Sequence, residues 1–160
     1  MKRSAVAANL PSFSQLHGRI QRGDFLDCYR VNAVATPRRA AEMITDFPCW
    51  VRSLLRVRRI LTTPFGLSND GPPAADKIGM FPVELETEHE LIAGFDDKHL
   101  NFRVSVLCHE ECVYLATWVH THNVGGAAYL AGIMPFHILI AKDALDRVAN
   151  AAQHTSGGRA

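Results

Sequence analysis

From Leu100 the chain alternates apolar and polar residues, the period-two pattern of a strand with two unlike faces. Leu100, Phe102, Val104 and Val106 fall on one face. Asp97, His99, Asn101, Arg103 and Ser105 fall on the other, an acid, an imidazole, an amide and a guanidinium in a row. That polar row either forms an outer face of cross-strand ion pairs or lines an internal cavity. Cys112 to Asn123 repeats the alternation, with Tyr114, Ala116, Trp118, His120 and His122 opposed to Val113, Leu115, Thr117, Val119 and Thr121. Bulk on both sides predicts a helix against one face and a cavity against the other. Ile78 to Thr87 and Glu88 to Phe95 read as two further strands with short connections, hence an antiparallel meander. Glu84, Glu86, Glu88 and Glu90 sit at alternate positions and read as an outer face.

Phe25 to Val34 supplies the first strand. Thr36-Pro37 then opens a helix, because threonine is a good N-cap and proline suits the first helical position. Ala40, Met43, Ile44 and Phe47 form its apolar stripe before Pro48. In a second helix from about Cys49 to Leu61, Trp50, Val51, Leu54, Val57 and Leu61 share a face opposite Arg52, Arg56 and Arg59. Arg58 falls inside the apolar stripe and must either snorkel outward or meet a buried acid. Thr62 to Gly79 has turn chemistry throughout. Ala127 to Ala152 reads as a long helix with a kink at Pro135, and His137 lies on its stripe of Leu130, Met134, Ile138, Ala141, Leu145 and Val148. These elements divide the chain into an N-terminal arm (1–22), one domain (23–152) and a disordered polar tail (153–160).

Composition narrows the class. The chain has 160 residues, 48% of them hydrophobic and 21% charged, which is ordinary for one globular domain. A formal net charge of +1 gives no electrostatic reason to expect nucleic acid or an acidic membrane. Lys2 and Arg3 precede too short an apolar run for a secretory signal, and Ala127 to Ala141 is shorter than a span of about 20 residues. A soluble cytoplasmic protein is expected. Cys28, Cys49, Cys108 and Cys112 show no Cys-x-x-Cys spacing and read as thiols; Cys108 and Cys112 could face each other across a hairpin.

One strand, two short helices, a run of antiparallel strands and a long last helix make an α+β domain. The order resembles the helix-grip fold of START/SRPBCC proteins, a curved antiparallel sheet wrapped on a long C-terminal helix with a cavity between them. Several segments also resemble domain-of-unknown-function family 2867, an uncharacterised bacterial family. They are the Trp50-Val51 helix with Leu54-Leu55, the strand from Asp96-Asp97-Lys98-His99-Leu100 to Arg103, the His122-Asn123 strand end, and Tyr129 followed by Pro135-Phe136-His137. The resemblance covers about Phe25 to Val148. It implies no established activity; some members are fused to short-chain-dehydrogenase-like domains, so an oxidoreductase domain is a candidate partner. Superfamily relatives bind or transform apolar and polyketide-like molecules, although fold does not fix function.

No Gly-x-Gly-x-x-Gly, phosphate-loop or Gly-x-Ser-x-Gly pattern is present, so no nucleotide cofactor and no serine nucleophile is expected. His120 and His122, with His99 nearby, could converge on a metal, but His120 facing a helix and His122 capping the strand is the simpler expectation, and no metal is assigned. The favoured reading is an apolar small molecule in a cavity contacted by Arg58, Asp97, His99, Arg103, Trp118, His120 and His137. In it Asp97 neutralises Arg58 or Arg103, and the polar groups form one cluster. One rival reading is a cyclase, isomerase or hydratase with His99 as acid/base beside Asp97. The other is a structural or interaction module without a ligand.

Overall fold

The computed structural model describes residues 4–62 and 71–156. The Arg58 and Leu61 side chains, much of the loop read after Thr62, and the Gly157-Gly158 tail lie outside the described residues. A short strand β1 (Val6–Ala7) and a 3-10 turn (Gln15–Arg19) come first, followed by β2 (Phe25–Asn32), α1 (Pro37–Thr45) and α2 (Cys49–Thr62). Then come β3 (Lys77–Ile78), β4 (Phe81–Glu86), β5 (Glu90–Asp96), β6 (Leu100–His109), β7 (Cys112–Thr121) and α3 (Val124–Ser156). The seven strands form one sheet in the order β1-β2-β7-β6-β5-β4-β3, every pair antiparallel. The α+β reading and the long C-terminal helix hold.

Local chemistry sets several boundaries. The Thr36 hydroxyl accepts from the Arg39 amide at 3.3 Å, capping α1 one residue before Pro37. Glu110 and Glu111 both take positive φ (47° and 57°), the twist that a two-residue hairpin between β6 and β7 requires. That turn opposes Cys108 to Val113 and His109 to Cys112, so Cys108 and Cys112 lie on opposite faces and do not meet. The helix read from Ala127 to Ala152 extends at both ends and runs through Pro135, and residues 153–156 belong to it and not to a tail. By length and composition α3 could cross a membrane, because the helix is longer than the apolar run Ala127 to Ala141. Its second half is a core element nonetheless.

Both faces of the sheet are covered. On the inner face Tyr29, Val31, Leu91, Ala93, Val106, Val113 and Leu115 pack under Ala40, Ala41 and Ile44 of α1 and Ala141, Leu145 and Val148 of α3. On the outer face Cys28, Ile92, Ala116 and Trp118 pack against Leu16, with Ala8, Leu10 and Ile20 alongside. Leu16 is fully buried, so the segment read as an N-terminal arm outside the core is the lid of a second core. Sequence periodicity did not show it, because 22 aperiodic residues can still wrap a surface in extended and 3-10 conformations.

The lid is fastened by a buried acid. Glu90, 3% exposed, accepts from the Ser14 hydroxyl at 2.6 Å, the Gln15 amide at 2.7 Å and the Ser105 hydroxyl at 2.6 Å. Glu90 does point outward, as its place in the glutamate series implied, but its face is not solvated. Removing its carboxylate strands two hydroxyls and an amide in a dry interface, where a charged acceptor matters most. Glu90→Ala is expected to destabilise by about 3 kcal/mol and Glu88→Ala by less than about 0.5 kcal/mol. Urea melts of the two variants compare them directly; equal midpoints would mean that Glu90 does not fasten the lid.

Candidate functional site

The register of β6 on β7 divides the polar candidates. Leu100, Phe102, Val104 and Val106 oppose Thr121, Val119, Thr117 and Leu115 on the inner face, towards α1 and α3. Asn101 and Arg103 oppose His120 and Trp118 on the outer face. The polar row therefore does not line the space between sheet and C-terminal helix.

At one end of the outer face these residues meet partners that the sequence did not indicate. Arg103 donates from Nε to Glu84 at 2.6 Å, and from Nη1 to the Asn101 side chain at 2.6 Å and the Phe102 carbonyl at 2.8 Å. Arg19 of the lid pairs with the same Glu84. Burial pulls the Arg103 guanidinium below its ordinary value, although Asp96 nearby opposes the change. Gly94 makes this packing possible. It has φ +150°, and a Cβ there would stand 2.3 Å from the Phe102 carbonyl and 3.0 Å from the Arg103 side chain.

Beside this cluster Asp24, its side chain 2% exposed, binds Trp118 Nε1 at 2.8 Å and His120 Nδ1 at 2.7 Å, and it accepts from the Gln21 amide at 2.8 Å. Burial pushes its carboxyl up, but the hydrogen bonds from His120, Gln21 and Trp118 outweigh this and hold it below the usual aspartate value. His122 Nε2 meets Asp96 at 2.6 Å, and the His120 and His122 rings are 5.5 Å apart.

The expected single cluster does not form. Asp97 sits in the β5–β6 turn, where its carboxylate accepts from the Lys98 amide at 2.7 Å, and the acid facing Arg103 is Glu84. His99 stands at the strand end beside the Asn123 side chain. Asn123 in turn accepts from the Gly126 amide at 2.9 Å at the start of α3. Gly126 is needed there, since a Cβ would lie 2.1 Å from the His99 carbonyl. Among the described residues no group of three or more His, Cys, Asp or Glu converges as a metal site.

Among the described candidates, His137 alone lies between sheet and helix. Its Nε2 meets Asp27 of β2 at 2.9 Å, and the Phe25 ring lies edge-on to it at 6.2 Å. Asp27 occupies the inner row Phe25, Asp27, Tyr29, Val31. One acid in an apolar period-two row is the sequence signal that marks it. Its second oxygen, Oδ1, is buried without a hydrogen bond among the described residues. Burial, and then the Asp27 charge, raise the neighbouring Tyr29 hydroxyl above its ordinary value.

The helix above the pair changes character along its length. Ala141, Ala144, Leu145 and Val148 are buried, whereas Leu130, Met134 and His137 on the same stripe are only half-buried. Phe136 and Leu139 beside them are more than half exposed, at 51% and 56%. Two hollows lie elsewhere. An apolar gap of about 10 Å³ under α1, lined by Ile44, Phe81, Leu91 and Val104 among others, has room for one water at most. An open hollow of about 180 Å³ lies at the hairpin end between His89, His109 and Cys112.

Fold and site thus define an α+β protein with an antiparallel sheet cored on both faces and a long C-terminal helix only half seated on it. Residues 19–144 match the family described as "Protein of unknown function (DUF2867)", and the chain belongs to that family. No curated protein and no solved structure matches the chain.

Linkage at Asp24 gives a sign that can be tested. Its folded pKa lies below the unfolded value, so its contribution is complete above about pH 4 and is lost as pH falls through the folded value. Asp24→Asn should narrow the stability difference between pH 7 and pH 3, as read by urea midpoints. An unchanged pH slope would mean that Asp24 is not held ionised by His120 and Trp118.

Proposed function

We propose that the protein binds an apolar small molecule between the inner face of the sheet and the first half of α3, in the manner of a helix-grip protein. The observation that carries this reading is the stripe on α3. It is fully packed from Ala141 to Val148 and only half covered at Leu130, Met134 and His137. An apolar helix face left half open towards an apolar sheet gains free energy from any greasy molecule that fills it, roughly 25 cal/mol per Å² covered. Asp27 and His137 are the polar handle there, and the unsatisfied Asp27 Oδ1 would take a hydroxyl or amide donor from the ligand. Arg103, Trp118 and His120 face the other side and drop out as ligand contacts.

The same pair favours a second reading. An imidazole oriented by a carboxylate beside a raised tyrosine hydroxyl is acid–base equipment, so a cyclase, isomerase or hydratase would use His137 and not His99.

Native mass spectrometry of the purified protein should show a retained apolar molecule, and an environment-sensitive apolar dye should compete with it. Leu130→Trp fills the cleft and should weaken dye binding at least tenfold, about 1.4 kcal/mol. His137→Ala should weaken it less. Dye affinity unchanged by Leu130→Trp, with nothing retained, would end the reading. Turnover that His137→Ala abolishes at unchanged affinity would favour the enzyme.

A further inference from the structure

The two histidines at the end of β7 are left unused by that reading. Each has one ring nitrogen committed to a carboxylate: His120 Nδ1 to Asp24 at 2.7 Å, and His122 Nε2 to Asp96 at 2.6 Å. His120 Nε2 and His122 Nδ1 remain. The rings project from the same strand face two residues apart, with centroids 5.5 Å apart and planes at 70°. Two imidazoles on one tetrahedral ion, with metal–nitrogen bonds of about 2.0–2.1 Å, have ring centroids about 5 Å apart. A carboxylate on the far nitrogen of each ring is the usual support for a metal-binding histidine, since it fixes the tautomer and raises the basicity of the ligating nitrogen. Both rings are open to solvent, with side chains 40% and 34% exposed.

We propose that His120 and His122 form a two-imidazole site for a divalent transition-metal ion, ligating through His120 Nε2 and His122 Nδ1. Asp24 and Asp96 position the two rings, and water completes the coordination. The ligand set selects metals that favour nitrogen donors (nickel, copper and zinc) over magnesium or calcium. With two protein ligands the site binds exchangeably, as a loading or sensing site does, and not as a structural zinc does. Arg103 and Arg19 share the single charge of Glu84, so the approaching cation meets the two carboxylates of Asp24 and Asp96 set against one net positive charge.

Nickel(II) reports on the site directly. Trp118 shares Asp24 with His120, so a paramagnetic ion on His120 should quench its fluorescence, and Trp50→Phe removes the other tryptophan. Titration of this variant should show saturable quenching with one ion per chain. His122→Ala and His120→Ala should each weaken binding at least tenfold, and Asp96→Asn should weaken it about tenfold. The double variant His89→Ala/His109→Ala, which removes a second histidine pair elsewhere on the surface, should bind as before. Circular dichroism checks that each variant is folded; His122→Ala, at the exposed strand end, carries the test if His120→Ala does not fold. Affinity within twofold of the parent in His122→Ala, or binding lost in the His89/His109 variant, overturns the site. Unchanged affinity in Asp96→Asn overturns the positioning role of that carboxylate.

Discussion

The register of β6 between β5 and β7 is the constraint from which the rest of the molecule follows. A strand presents alternate residues to opposite faces, so one pairing fixes Phe102, Val104 and Val106 beneath the helices and Arg103 and Ser105 beneath the N-terminal segment. Neither face is left to solvent along the middle of the strand. The inner face is covered by α1 and the second half of α3, and the outer face by Leu16 and its neighbours. A slip of one residue would place the Arg103 charge under α3 and Phe102 against Glu84, and both exchanges are costly.

Covering the outer face creates the polar chemistry found there. A lid over a sheet that bears Ser105, Arg103 and Trp118 must satisfy each of them, and it does so with acids from three elements. Glu90 takes the serines, Glu84 takes Arg103 and Arg19, and Asp24 takes Trp118 and His120. These carboxylates hold together parts of the chain that share no local contacts. At the open end of the same face, beyond the lid, His122 and Asp96 extend the arrangement towards solvent.

The inner face works by the opposite rule. It is mostly apolar, with Asp27, Tyr29, Thr117 and Thr121 of the sheet and His137 of α3 as its polar groups, and the helix stripe above it is fully buried only in its second half. A half-seated helix with one polar pair beneath it is where the two readings of function meet.

The sequence by itself determined what is local. The alternation of β6 and β7, the Thr36-Pro37 start of α1, the apolar stripe of α3 and the antiparallel order follow from side-chain period and turn chemistry, and all were legible. Even the two faces of β6 were correctly sorted. Only the tertiary structure decided which face met what. The docking of residues 4–24 on the outer face joins Ser14 to Glu90 and Asp24 to His120, partners 76 and 96 residues apart. Such pairings leave no periodic trace, because an aperiodic segment contributes single residues to a surface made elsewhere. For the same reason the alternation alone points to Asp97 as the acid for Arg58 or Arg103, whereas the assembled sheet supplies Glu84 to Arg103. Asp97 shares the strand's alternation, but a cross-strand neighbour two strands away is closer in space than a residue in the adjoining turn, and only the assembled sheet shows it.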